Sequence, residues 1–112
     1  MDNTNKAATL PEEDANTYIH KFATPFHYGG KEYKELRFDF GSLTGKDDLE
    51  IEAELNAIGK PAAIPEYSGE YHIRIAARAC LEKIGFDAFA LMRYRDARKI
   101  KSHARRFMLA SE

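Results

Sequence analysis

Few side chains in this sequence have a type and spacing suited to catalysis or metal binding. The four histidines, His20, His27, His72 and His103, are spread along the chain, and His20 and His27 have opposite parity on one predicted strand. A metal site needs clustered ligands at fixed spacing, so this distribution favours solvated or strand-edge histidines. The single cysteine, Cys80, falls in the apolar stripe of a predicted helix, which indicates a buried structural thiol.

The other candidate groups also have structural explanations. An acidic run extends over Asp47, Asp48, Glu50, Glu52 and Glu54. A calcium loop places its ligands around a turn glycine. Here the run lies in a predicted helix, where the helix dipole favours carboxylates in the first turn. The serines lack a neighbouring base or a strand–turn–helix elbow. We therefore expect no catalytic residue, no metal and no cofactor, and a protein that is not an enzyme.

The basic C-terminal segment is the clearest functional signal. From Arg93 onward the chain has seven basic residues against two acidic ones, arranged around an apolar stripe. Three interpretations are open: a solvated helix surface, a protein-docking surface or a nucleic-acid contact. The sequence pI of about 6.4 and the lack of a nucleic-acid motif favour protein docking over nucleic acid. The residues predicted to contact a partner are Arg98, Lys99, Lys101, Arg105, Phe107, Met108 and Leu109. Whether Phe107 to Leu109 belong to the core or to the contact stays open.

Length and charge limit the organisation of the chain. Its 112 residues suffice for one domain, and no apolar run reaches the roughly 20 residues of a membrane span. The lone cysteine and the polar N-terminus favour a reducing, cytoplasmic setting. Residues 1–60 carry seven Lys/Arg against twelve Asp/Glu, whereas residues 61–112 carry ten against six. This complementarity predicts internal packing or head-to-tail self-association.

The elements that must hold these residues begin with a hairpin. Residues 1–17 are predicted to be a disordered polar tail, and residues 18–112 a single α+β domain. Two strands, 19–28 and 32–40, flank Gly29-Gly30. A three-residue loop, Tyr28-Gly29-Gly30, would place the apolar side chains of both strands on one face. Pro25 cannot donate to a ladder, so its strand should lie at an edge or be bulged there.

Helices follow the hairpin. Thr44 and Asp47 predict a capping box that opens a helix extending to about Ile58. Ser68 caps a second helix with apolar spacing through Ile84. Further predicted features are a cap at Asp87, a hydrophobic staple from Phe86 to Leu91 and a terminal helix broken near Asp96. The expected fold is therefore α+β and mainly helical, with an N-terminal β-hairpin packed on three to four α-helices.

The order of these motifs resembles a known family. The segments concerned are "KEYKEL" at 31–36, "LTG" at 43–45 with Asp47, "YHIRIAARA" at 71–79, the turn at Phe86, then Asp96 and the terminal Phe107 near Leu109. From about Lys21 to Leu109 the chain resembles the small tail assembly chaperones of tailed bacteriophages. The tail before Tyr18 is longer than that family's pattern needs.

The resemblance implies a non-catalytic role in the host cytoplasm during tail building, with absence from the finished virion. Such proteins bind the aggregation-prone tape-measure protein and help to recruit tail-tube subunits. The family supplies no catalytic residues. The alternative function is a small nucleic-acid-associated regulatory protein that uses the basic C-terminal helix.

Overall fold

A computed structural model describes residues 15–110 and confirms the α+β class, with an antiparallel hairpin followed by four helices. The elements are β1 (Thr17–Tyr28), β2 (Lys31–Asp39), α1 (Gly45–Ala57), α2 (Gly69–Ala79), α3 (Phe86–Ala90) and α4 (Tyr94–Leu109). Short 3₁₀ turns at Phe40–Ser42 and Pro65–Tyr67 precede α1 and α2. Most of the predicted tail lies outside the described residues. Its last residue, Thr17, already pairs with Asp39 in the hairpin.

The hairpin loop has two residues, so the predicted three-residue loop is wrong. Tyr28 pairs directly with Lys31, and both Gly29 and Gly30 have positive φ, 60° and 80°. Two successive left-handed residues form the turn whose twist matches that of the flanking strands. Glycine adopts this conformation without a Cβ penalty, which explains the Gly-Gly pair.

A bulge in β1 restores the apolar face that this loop would otherwise split. Between Lys21 and Phe26, four residues of β1 stand opposite one residue of β2. β1 thus has three more residues than β2 in this stretch, and an odd number of extra residues reverses the face on which the following side chains lie. As a result His20 lies opposite Leu36, and the buried Phe22 is on the same face of the hairpin as these two residues. Phe26, beyond the bulge, is half-buried and stacks on Phe22 at 5.6 Å between ring centroids. Pro25 falls within the bulge, as its missing N–H predicts.

α1 begins and ends where the sequence predicts. The Asp47 carboxylate accepts a 2.8 Å hydrogen bond from the backbone N–H of Thr44, which is the reciprocal half of a capping box. The helix ends at Ala57, and Gly59 takes the left-handed conformation at φ 72°. Only Ile51 and Leu55 of this helix are buried, so α1 covers the core with a narrow stripe.

α2 begins as predicted but ends a turn early. Ser68 Oγ accepts a hydrogen bond from the backbone N–H of Tyr71, as expected for its cap. The predicted continuation to Ile84 is wrong, because Cys80 leaves the helix in an extended conformation and bridges to Phe38. The N–H of Leu81 donates to the carbonyl of Arg37 at 2.8 Å. Sheet pairing at the β2 edge thus replaces the last helical turn.

The segment after α2 also differs from its prediction. Gly85, not Asp87, is the N-cap residue of α3, and Leu91 is exposed and does not meet Phe86 in a staple. The break in the terminal helix lies before Tyr94, two residues earlier than predicted. Asp96 belongs instead to the first turn of α4.

The core lies between the hairpin and the helices. α2 occupies the centre and packs on α1, α3 and α4. The largest fully buried side chains are Phe38, Phe40, Phe89, Leu36, Ile51, Leu55, Ile100 and His20. Phe38 stacks on Phe40 at 5.9 Å and tilts against Phe89 at 6.2 Å, so aromatic packing joins β2 to α3.

Candidate protein-binding surface

The cations of α4 are not neutralised within the described part of the chain. We call them the basic face: Arg95, Arg98, Lys99, Lys101, Arg105 and Arg106. Within residues 15–110, none of them lies within 4.0 Å of a carboxylate oxygen. The one acidic residue of α4, Asp96, instead accepts a 2.7 Å hydrogen bond from His20 Nε2. Among residues 15–110, the basic face therefore lacks a carboxylate countercharge.

Half of the basic face lines a cleft beside the Pro65–Tyr67 turn. Arg98, Lys101 and Arg105 enclose about 300 Å³ together with Glu66, Tyr67 and His72, and we call this the basic cleft. Arg105 Nε donates to the carbonyl of Glu66 at 3.0 Å, and its guanidinium lies 5.5 Å from the centre of the Tyr67 ring. Burial lowers the pKa of His72, and the nearby Arg105 and Lys101 lower it further.

Lys99 and Arg106 belong to the basic face but do not line the basic cleft. They lie near His103, whose ring stacks on Tyr18 of β1 at 3.6 Å between centroids. Burial lowers the pKa of His103, and Arg106, His20 and Lys99 contribute in the same direction. Of the seven predicted contact residues, only Arg98, Lys101 and Arg105 line the basic cleft.

The C-terminal apolar triplet is divided between the core and the surface. The Phe107 ring stacks on Phe40 at 5.4 Å, and Met108 is half-buried against the core. Leu109, in contrast, is 54% exposed. The question that the sequence left open is thus answered for Phe107, which closes the core.

An apolar groove adjoins the basic cleft. It lies between α2, α3 and α4, has a volume of about 860 Å³ and is open to solvent. Its apolar lining consists of Ile73, Phe86, Phe89, Ala90, Met92, Tyr94 and Ala97. Phe89 and Met92 are buried, whereas Tyr94 is 75% exposed. Lys101 lines both the groove and the basic cleft, so the two form one continuous surface.

The sequence prediction missed this groove. Phe86 and Leu91 were assigned to a local staple, yet Phe86 lies on the groove rim and Leu91 is exposed. The available signal was the density of apolar residues between Phe86 and Tyr94, which exceeds what a five-residue helix can bury. Only the packing of three helices defines the cavity.

Phe86 is held at the rim by a buried arginine. The guanidinium of Arg74 lies 4.2 Å from the centre of the Phe86 ring, and Arg74 is only 5% exposed. Arg74 Nη1 donates to Glu70 Oε1 at 2.7 Å, and this hydrogen bond is the main cause of the lowered pKa of Glu70. Arg74 Nε has no hydrogen-bond partner and lies 3.5 Å from Glu54 Oε1. Phe86 at the rim of the groove therefore packs on the buried, ion-paired guanidinium of Arg74.

The acidic run of α1 is paired internally, with α2. Arg78 Nη1 lies 3.0 Å from Asp47 Oδ1 and 2.7 Å from Glu50 Oε1, while its Nη2 lies 3.0 Å from Glu54 Oε2. The charge complementarity seen in the sequence is thus used for packing between α1 and α2. Among the described residues, these carboxylates form no ion pair with the cations of α4.

A buried polar chain fastens β1 to α4. Tyr18 Oη lies 2.7 Å from His20 Nδ1, and His20 Nε2 lies 2.7 Å from Asp96 Oδ1. Burial, with a contribution from Asp96, raises the pKa of Tyr18 to about 12, so its hydroxyl stays protonated at neutral pH. The arrangement links β1 to α4 through side-chain hydrogen bonds.

Between residues 15 and 110, no group of three or more His, Cys, Asp or Glu side chains is placed to hold a metal ion. Over the same range, no helix combines the length and apolarity required to cross a membrane. In comparisons with known proteins, no family model, curated protein or solved structure matches this chain.

Proposed function

We propose that this protein is a phage tail assembly chaperone. In this role it binds the tape-measure protein in the host cytoplasm, helps to recruit tail-tube subunits and leaves before the virion is complete. The order of sequence motifs supports this family assignment. The structural observation that supports it best is the apolar groove of about 860 Å³ next to the cations of the basic cleft.

A groove of this kind suits a long client with amphipathic helices. Helix-in-groove recognition buries one apolar stripe of a ligand and leaves its polar flank at the rim. The groove offers exposed Tyr94 and Phe86 for such a stripe and Lys101 for the flank. An aggregation-prone client would be kept soluble because its apolar stripe is covered while the charged surfaces of the chaperone face water.

The function is tested by co-expression with the tape-measure protein from the same locus. The soluble fraction is analysed by size-exclusion chromatography with multi-angle light scattering. We expect a soluble complex that contains several copies of this 12.7 kDa chain per client. Insoluble tape-measure protein beside a free chain of monomer mass would contradict the proposal. Expression of the client alone is the matched control.

One observation favours a second candidate, a nucleic-acid-associated regulatory protein. The basic face carries six cations, none of them paired with a carboxylate within residues 15–110, and exposed Tyr67 and Tyr94 lie beside it. Cations with neighbouring aromatic rings can bind phosphates and stack on bases. The two functions predict different responses to salt, as argued in the Discussion.

A further inference from the structure

We infer that the apolar groove and the basic cleft together bind a partner helix that carries carboxylates along one flank of its apolar stripe. This inference rests on the proposed function, since it specifies which segments of the tape-measure protein would be bound. The ligand is an amphipathic helix of a partner protein, with carboxylates beside its apolar stripe.

The charge of the occupant follows from the groove's surroundings. Two carboxylates that line the groove are already engaged: Glu70 pairs with Arg74 and Lys60, and Asp87 accepts a hydrogen bond from the Tyr28 hydroxyl. Glu66 is the one carboxylate among the described residues that lines the basic cleft, against the three cations there. The cations on the opposite side, Lys101 and Arg98, have no carboxylate partner among residues 15–110. A ligand with carboxylates facing α4 would supply the missing countercharge.

The spacing of the cations sets the pattern of the ligand. Arg98, Lys101 and Arg105 follow one another at i, i+3 and i+7 along α4, which spans about 10 Å at the helical rise of 1.5 Å per residue. A second helix lying along α4 matches this spacing with carboxylates at i, i+3 or i+4, and i+7. Its adjacent stripe then contacts Ile73, Phe86 and Tyr94 in the groove.

The probe is a fluorescein-labelled 18-residue helical peptide with leucines at i, i+3, i+4 and i+7 and glutamates along one flank. A matched peptide has lysine at each glutamate position. Fluorescence anisotropy with the full chain measures Kd for both. We expect the lysine peptide to bind at least about tenfold more weakly than the glutamate peptide, because a like charge faces each rim cation.

Three variants of the full chain locate the site. Arg98→Glu with Lys101→Glu should raise the Kd of the glutamate peptide about tenfold or more. The matched control, Lys99→Glu with Arg106→Glu, changes the net charge equally on the same helix but away from the basic cleft, and should change Kd less than about threefold. Ala90→Trp fills the groove from an exposed position and should weaken both peptides. Circular dichroism and thermal melting verify that each variant is folded.

Several results would overturn the inference. Equal losses in the two charge-reversed variants would mean general attraction to the basic face rather than recognition in the cleft. Unchanged binding by the Ala90→Trp variant would exclude the groove. A concentration-dependent dimer of the free chain that Ala90→Trp abolishes would make a second copy the occupant. Tighter peptide binding after neutralisation of Glu12, Glu13 and Asp14 would assign the site to the chain's own N-terminal segment.

The inference and the proposed function can fail separately. If the wild-type chain solubilises the tape-measure protein and all three variants do so equally well, the chaperone function stands and the docking site is wrong. If the chain discriminates the two peptides as expected but forms no complex with the tape-measure protein, the site stands and its client is another acidic helical protein.

Discussion

Asp47 links the start of α1 to α2. Its carboxylate accepts a hydrogen bond from the N–H of Thr44 and pairs with Arg78. The Thr44 hydrogen bond is the main cause of its lowered pKa, to which Arg78 adds. A carboxyl whose pKa is lowered on folding contributes stability above its unfolded pKa, near 4, and loses it as the pH falls through the folded value.

We therefore expect Asp47→Asn to lower the free energy of unfolding at pH 7 by about 1 kcal/mol, a typical cost of losing a helix cap. The difference from wild type should shrink towards pH 3, where the wild-type carboxyl is also protonated. Urea denaturation at both pH values measures this. Glu52→Gln, an exposed change on the same helix, is the control and should stay within about 0.5 kcal/mol. An equal loss at pH 3 and pH 7 would refute the assigned role.

The lowered pKa of His103 predicts a second dependence of stability on pH, this time from a group that is charged when protonated. Burial is the main cause of its lowered pKa, and Lys99, Arg106 and His20 lie near it, while Tyr18 of β1 stacks on its ring. Folding thus favours the neutral ring, so stability is complete above about pH 6.5 and falls as the pH drops towards the folded pKa. His72, whose pKa is also lowered, adds to this loss.

The variant His103→Phe keeps a stacked ring but removes the titration. We expect its Tm to fall less than that of wild type between pH 7.5 and pH 5.5, with a residual slope from His72. Differential scanning calorimetry at three pH values provides the measurement. His27→Gln, at an exposed position, serves as the control and should retain the wild-type slope. Identical slopes for wild type and His103→Phe would rule out His103 as a source of the pH response.

At the scale of elements, the hairpin turn tests the importance of backbone conformation. No heavy atom lies within 4 Å of a Cβ built at Gly29 or Gly30, so a side chain there meets no steric clash. The positive φ of Gly30 alone should make Gly30→Val cost about 1–2 kcal/mol. Gly29→Asn should be nearly neutral, because Asn-Gly is a preferred sequence for this turn. Chemical denaturation measures both, and equal effects of the two changes would contradict the conformational explanation.

Most of the fold could be predicted from residues at the ends of helices and strands, because these residues act through local contacts. Thr44, Asp47 and Ser68 act at helix starts through contacts three residues away, so the sequence reveals them directly. The alternating apolar residues of the strands likewise predict the buried face. Pro25 indicated a bulge in β1, but it did not indicate the size of the bulge. The three extra residues there made the prediction of a three-residue loop wrong, because that prediction assumed regular pairing along both strands.

Features that depend on distant contacts could not be predicted in this way. α2 ends at Ala79 because Cys80 and Leu81 pair with β2, more than 40 residues away in sequence. The apolar spacing continues to Ile84 and conceals this end. The groove and the basic cleft have the same origin, since they arise where α2, α3 and α4 meet. Arg98, Lys101 and Arg105 were predicted as contact residues, but their separation from Lys99 and Arg106 required the packed structure.

For the whole molecule, the distribution of charge matters more than its net value of −1. Three of the five carboxylates in the acidic run of α1 pair with Arg78, and Glu54 also lies 3.5 Å from Arg74. The basic face remains open within the described residues. Part of the negative charge of α1 is thus used within the fold, and head-to-tail self-association of α1 with α4 stays a prediction.

The same distribution predicts weak binding to DNA and so separates the two candidate functions. Arg98, Lys101 and Arg105 line the basic cleft, so we expect about three cations to contact one phosphate backbone together. Each phosphate contact contributes about 0.9 to the slope of log K against log salt, which gives a slope near −3. We expect elution from a double-stranded DNA column below about 150 mM NaCl, with slightly earlier elution of Arg98→Glu with Lys101→Glu. Retention at 300 mM NaCl with a slope of −5 or steeper would favour the regulatory function, because it would need cations beyond the basic cleft to engage the nucleic acid as well.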